Sequence, residues 1–146
     1  MSDAPIAATW ARLRAARRPG LIAYLTAGFP SFDVSLEALQ VADALADVIE
    51  VGVPFSDPLA DGPTIQRSTF TALQGGMTLP RTLELVRQAQ LSRPVVIFSY
   101  LNPILRYGVE PFLGDAAALG IAGLLLTDLP AGKKAAAFEA DILRVV

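Results

Sequence analysis

Three carboxylates bound the chemistry open to this chain: Glu50, Asp57 and Asp61, all within Val48 to Pro63, VIEVGVPFSDPLADGP. Glu50 stands in a run of Val48, Ile49, Val51 and Val53, whose β-branched character reads as a strand buried on both faces. An unpaired charge in such a place is costly, so Glu50 needs a reason to be there. A carboxyl held between apolar walls has its pKa raised and can act as a general acid near neutrality. A structural ion pair with an arginine is the plainer alternative. Pro54, Pro58 and Pro63 cannot continue a ladder, which leaves Asp57 and Asp61 on a loop at the carboxyl end of the strand. That is the end where α/β architectures carry out chemistry. Asp61, between Ala60 and Gly62, is expected to be more exposed and ionised, able to accept a proton or to stabilise positive charge. Two carboxylates in unlike surroundings suit acid and base roles. Ser56-Asp57-Pro58 also reads as an ordinary turn.

The elements that must position these groups follow from the apolar pattern. Ile6, Trp10 and Leu13 recur at helical spacing before Pro19 and Gly20, predicting a helix over about 7–16 that covers one end of a core. Leu21 to Thr26, bounded by Gly20 and by Gly28 and Pro30, reads as a first strand. Ser31 or Asp33 can cap a helix with Ala38, Leu39, Ala42, Leu45 and Ala46 on its buried stripe, leading into the strand at Val48. Thr64 to Leu73 reads as a helix closed by Gly75 and Gly76. A further helix has Thr78 as cap, Pro80 in its first turn and Leu83, Leu85, Val86 and Ala89 on its buried side. Val95 to Tyr100 is a third strand, followed by a loop from Asn102 and Pro103 to the break at Gly108. Pro111 to Leu119 reads as a helix, and Ile121 to Thr127 as a fourth strand. Ala135 to Ala140 is weakly helical, and Ile142 to Val146 begins a fifth strand.

Strands alternating with helical segments predict one α/β domain over residues 1–146, with βα units from about 21 onward on a parallel sheet. The sheet is either open and doubly wound or part of a (β/α) barrel, and periodicity does not choose. A complete barrel takes about 250 residues, so in the barrel case this chain supplies about the first half to five-eighths.

Composition excludes several classes. With 53% hydrophobic and 18% charged side chains, the 146 residues form a globular unit rather than a disordered one. A net charge of -2 offers no field for a nucleic-acid backbone, and Arg12, Arg14, Arg17 and Arg18 read as a solvated helix face. The longest apolar run, Ala116 to Leu126, falls short of the ~20 residues that span a bilayer, and no signal-type region opens the chain, so a cytoplasmic protein is expected. The chain holds no cysteine and no histidine, which leaves no thiolate nucleophile, no imidazole base and no usual zinc set. Tyr24, Phe98 and Tyr100 near strand ends could line a pocket for a planar ligand or belong to the core. Asp128, at the end of the fourth strand with Thr127, reads equally as a helix cap or a ligand contact.

Taken together, VGVPFSDPLADGPTIQ, with YLTAGFP upstream and YLNPILRYG and LLLTDLP downstream, closely resembles the tryptophan synthase alpha chain from about Leu21 to Pro130. The resemblance implies a (β/α)8 TIM barrel and a lyase that cleaves indole-3-glycerol phosphate to indole and glyceraldehyde 3-phosphate by a retro-aldol route, in L-tryptophan biosynthesis. It implies neither metal nor organic cofactor in this chain. By motif, Glu50 matches the family's catalytic glutamate, which moves a proton at the indole ring and the glycerol hydroxyl. Asp61 matches the catalytic aspartate, which accepts the indole N–H and stabilises the positive ring. Tyr24, Phe98, Tyr100, Leu125 and Thr127 fall at positions like those lining the indole pocket, with Phe98 and Thr127 departing from commoner choices. Asp57 falls in the loop that meets the pyridoxal-phosphate-bearing beta chain, in an alpha2beta2 tetramer.

The family's phosphate site is built in later βα loops, and residues 131–146 look shortened against the family. Activity is therefore expected of a full-length parent rather than of these 146 residues alone. Two other readings are a non-catalytic half-barrel unit for folding or interaction, and a different phosphate-sugar barrel enzyme.

Overall fold

The computed structural model describes residues 5–129. In chain order these form α1 (Pro5–Ala15), β1 (Ile22–Thr26), α2 (Phe32–Leu45), β2 (Val48–Gly52), α3 (Pro63–Gln74) and α4 (Leu79–Ala89). There follow β3 (Val95–Ser99), α5 (Leu101–Tyr107), α6 (Val109–Ala118) and β4 (Gly123–Leu126). The four strands pair in parallel in the order β1-β2-β3-β4. A doubly wound sheet reverses its strand order partway and carries helices on both faces, whereas a barrel advances one strand at a time. Sequential order selects the barrel among the described residues. The helical segment and strand expected at 135–146 lie outside the described residues.

Side-chain alternation divides the sheet sharply. On one face Ile49 and Val51 of β2 and Val95 and Ile97 of β3 are at most 5% exposed and pack with Leu39 of α2, with Leu83, Leu85, Val86 and Ala89 of α4, and with Phe112 and Leu113 of α6. Each such apolar side chain contributes about 1.5–3 kcal/mol relative to leaving it in water. On the other face Ile22 is 45% exposed and Leu125 38% exposed. Strand β2 itself, expected to be buried on both faces, is buried at Val48 and Gly52 on this side as well as at Ile49 and Val51 on the other, and Glu50 is its one half-buried residue.

The caps fall where the sequence places them. Ser31 accepts from the Val34 N–H and Thr78 from the Arg81 N–H, and Pro80 lies in the first turn of α4. The buried stripe of α2 is Phe32, Ser35, Leu36, Leu39, Ala42 and Ala46, while Leu45, expected on it, is 70% exposed. Helix α5 occupies what was expected to be a loop. Pro103 is its third residue, where the missing N–H has no intrahelical acceptor to lose. No described helix is long and apolar enough to cross a membrane.

Helix α1 closes the amino ends of the strands. Trp10 and Leu13 press so closely on Gly20 that a Cβ there would lie 2.5 Å from the indole and 2.7 Å from Leu13 Cδ1. Ile6 reaches the open face, 3.5 Å from where a Gly123 side chain would begin. The arginines expected to be solvated instead divide: Arg18 and Arg12 both converge on Asp47, which is 2% exposed. Asp47 Oδ2 accepts from Arg18 Nη1 at 3.0 Å and from the Leu21 N–H at 2.9 Å, and Oδ1 accepts from Arg12 Nη2 at 3.5 Å.

These donors, Arg18 foremost, hold the Asp47 carboxyl at about 2. A carboxyl whose pKa is lower in the folded state adds stability above its unfolded value of about 3.9, and that stability drains away as pH falls toward the folded value. Asp47→Asn is therefore expected to lower the urea midpoint at pH 7 and to flatten its fall between about pH 4 and 2 relative to the parent. Urea titrations of both proteins across that window check it, and parallel curves would show that Asp47 does not carry the dependence.

Candidate active site

The open face carries two rungs of side chains at the carboxyl half of the sheet. Tyr24, Glu50, Val96 and Gly123 share one rung, and Thr26, Gly52, Phe98 and Leu125 the next. The Tyr24 ring meets Phe98 edge-on, with centroids 5.5 Å apart and planes at 82°. It runs diagonally over β2, so that a Cβ at Gly52 would lie 2.1 Å from its hydroxyl. Only a residue without a side chain lets the phenol cross there. Burial pushes the Tyr24 phenol above its ordinary value of 10.0, and the charges of Asp61 and Glu50 push it the same way.

Asp61 ends the loop between β2 and α3. The loop folds on itself through the Leu59 N–H to Asp57 carbonyl bond of 2.9 Å and the Asp61 N–H to Pro58 carbonyl bond of 3.2 Å. Gln66 of α3 donates to the Asp61 carbonyl at 2.8 Å. From the neighbouring unit, the Tyr100 hydroxyl accepts from the Ala60 N–H at 2.9 Å and donates to Asp61 Oδ2 at 3.1 Å. The Tyr100 ring lies against Phe55, centroids 5.2 Å apart. Burial raises the Tyr100 phenol above 10.0, the Ala60 N–H opposes that shift, and Asp61 adds to it.

The remaining expected residues sit around an open cleft of about 440 Å³ whose walls include Phe55, Asp57, Leu59, Tyr100 and Thr127. Asp57 is exposed and accepts from its neighbour Ser56 Oγ at 2.6 Å, as a turn residue would. Thr127 Oγ1 is buried without a hydrogen-bond partner among the described residues. Asp128 Oδ1 accepts from the Leu101 N–H at 2.7 Å, at the start of α5, and Asp128 also lines the cleft. Tyr24, Glu50, Phe98 and Leu125 lie on the open sheet face rather than in this cleft.

Two expectations change. Glu50 is half-buried, not enclosed, and so is Asp61, so the contrast of a dry carboxylate and a wet one does not hold within residues 5–129. The arginine partner considered for Glu50 belongs to Asp47; among the described residues Glu50 has neither ion pair nor hydrogen bond. Gly52 and the Tyr100 hydroxyl escaped sequence reasoning, the former because its role is a contact across a strand and the latter because it acts on a residue 39 positions away. Among the described residues no group of three or more histidine, cysteine, aspartate or glutamate side chains could hold a metal ion.

The chain is 48% identical over 139 residues to the tryptophan synthase alpha chain of Geobacter sulfurreducens, covering 92% of this chain and 52% of the relative. It is 46% identical over 126 residues to the tryptophan synthase of Saccharomyces cerevisiae, covering 84% of this chain and 18% of the relative. Among solved structures, tryptophan synthase from M. tuberculosis superposes with a TM-score of 0.88 at 37% identity, over 99% of this chain and 58% of that one. The chain thus spans about half the length of the Geobacter relative. With a family profile matching residues 10–142, the sheet order of a barrel and these relatives, the chain belongs to the tryptophan synthase alpha chain family.

Proposed function

We propose that the protein containing this chain is a lyase that cleaves indole-3-glycerol phosphate to indole and glyceraldehyde 3-phosphate, with residues 1–146 supplying the two acid–base groups. The observation that supports this reading is that Glu50 stands on the same sheet face as the Tyr24–Phe98 pair, while Asp61 is held at the carboxyl end of the sheet by the Tyr100 hydroxyl. The bond to be broken joins indole C3 to the glycerol chain. Adding a proton at C3 turns the ring into a leaving group and places positive charge on the ring system. A carboxylate beside the N–H stabilises that charge, and the electrons of the broken bond return to the indole as the glycerol hydroxyl loses its proton and becomes the aldehyde. Glu50 is assigned the proton transfers at C3 and at the hydroxyl, and Asp61 the acceptance of the indole N–H.

Tyr24, Phe98, Tyr100, Leu125 and Thr127 are assigned to the walls around the ring. Tyr24, Phe98 and Leu125 share the sheet face of Glu50, while Tyr100 and Thr127 line the cleft, where the Tyr100 hydroxyl meets Asp61. The exposed Asp57 and the 93% exposed Leu59 suit a partner-facing loop, and the partner assigned to it is a beta chain carrying pyridoxal phosphate. A second reading, a non-catalytic half-barrel unit, draws on β1 and β4 forming the edges of the described sheet. Size-exclusion of the 146-residue chain with and without a beta chain, alongside a retro-aldol assay, separates the two.

In the full-length protein containing this chain, Glu50→Gln and Asp61→Asn are each expected to lower kcat by roughly 100- to 10,000-fold with the far-UV spectrum unchanged. Indole release from indole-3-glycerol phosphate measures this, and wild-type turnover in both would defeat the reading. Gly52→Ala is expected to leave the fold intact but to drive the Tyr24 ring off β2 into the space above the open sheet face. NMR should show the Tyr24 and Phe98 ring resonances shifting together and indole binding weakening; unmoved rings would count against the role given to Gly52.

A further inference from the structure

The segment bearing Asp61 has little packing to hold it: Leu59 is 93% exposed, and Ala60 and Gly62 are exposed on either side of the carboxylate. Its internal turn bonds fix its shape but not its place over the sheet. Two side chains tie it down. Gln66 does so from α3, which follows the same loop, and Tyr100 does so from the next βα unit. Tyr100 is itself firmly set: it is 4% exposed, follows β3 directly, packs at a tilt against Phe55, and precedes Leu101, whose N–H is held by Asp128. Its single hydroxyl meets both the backbone and the carboxylate of the loop.

We propose that Tyr100 is a positioning residue for Asp61: its hydroxyl anchors the loop through the Ala60 N–H and occupies Oδ2, leaving Oδ1 as the oxygen aimed at a ligand N–H. This rests on the reading of Asp61 as the acceptor of the indole N–H. A phenol kept protonated by burial can only donate to the carboxylate, so it fixes which oxygen is free. Losing it removes a hydrogen bond to a charged group and the tether of the loop in one step, while the ring of a phenylalanine would still fill the space against Phe55.

The test compares indole with benzofuran, which has the same shape and an oxygen in place of the N–H, by calorimetry on the full-length protein containing this chain. Wild type is expected to prefer indole and Asp61→Ala to lose the preference. Tyr100→Phe should reduce the preference by roughly tenfold while benzofuran binds within about twofold of wild type. A purely structural role for Tyr100 would weaken both ligands equally and leave the ratio unmoved. Replacement of Tyr100 by 4-aminophenylalanine, which still donates, should keep the preference and serves as the second variant should Tyr100→Phe not fold. If Asp61→Ala loses the preference but Tyr100→Phe keeps it, or if the donating replacement loses it, the positioning role is overturned. If wild type shows no preference, the reading of Asp61 itself fails and the proposal falls with it.

Discussion

A parallel sheet covered by helices on one face divides its side chains by parity, and everything in this molecule follows from that division. Odd-numbered Ile49, Val51, Val95 and Ile97 sit against the helices, and even-numbered Tyr24, Glu50 and Phe98 stand on the opposite face. A one-residue slip of β2 would drive Glu50 into the apolar layer beside Leu39 and Leu85, with no partner to offset its charge. The register that buries the core is therefore the register that presents the carboxylate. Stability and chemistry are separated by alternation, not by distance.

Sheet pairing alone does not fix the loops, and the units are joined laterally by side chains that satisfy a neighbour's backbone. At the amino ends of the strands, Asp47 takes the Leu21 N–H, and Asp43 takes the Ser92 and Arg93 N–H groups, each at 2.8 Å. At the carboxyl ends, Tyr100 takes the Ala60 N–H and Asp128 the Leu101 N–H. Thr26 and Ser68 meet at 2.7 Å and seat α3 over β1. Each bond spans consecutive units, so the loops that bear Asp57, Asp61 and Asp128 are held in mutual register although they pack loosely.

The fold was legible in the sequence wherever one local signal sufficed. The strands stood out as β-branched runs between glycines and prolines, and Thr78 and Ser31 announced the helices they cap. The motif around Asp61 identified the family. Signals that need a second element were not legible. Leu45 fits an apolar stripe by composition but points away from the sheet, and Pro103 reads as a breaker until it is placed in a first helical turn. The arginine cluster reads as solvated because its partner, Asp47, lies 29 residues beyond Arg18. The sequence also could not say that Glu50 would be the one residue of β2 left half-buried, with exposed Ile22 and Leu125 on the same sheet face.

That openness changes how the two carboxylates can differ. If burial set their roles, Glu50 would need walls that residues 5–129 do not give it, and Asp61 would need to be the wetter of the two; both are half-buried. What separates them is their partners. Asp61 has one oxygen engaged by a phenol and its loop fastened to the next unit, so its carboxylate is held in place by its neighbours. Glu50 is held by a strand in the middle of the sheet, yet its carboxylate has no hydrogen-bond partner among the described residues. A group that must stabilise a charge gains from being fixed, because no reorganisation is then needed as the charge appears. A group that must reach two atoms in turn gains from a rigid backbone and an untethered end. The sheet gives Glu50 the rigid backbone, and the loop tied to the next unit gives Asp61 the fixed carboxylate.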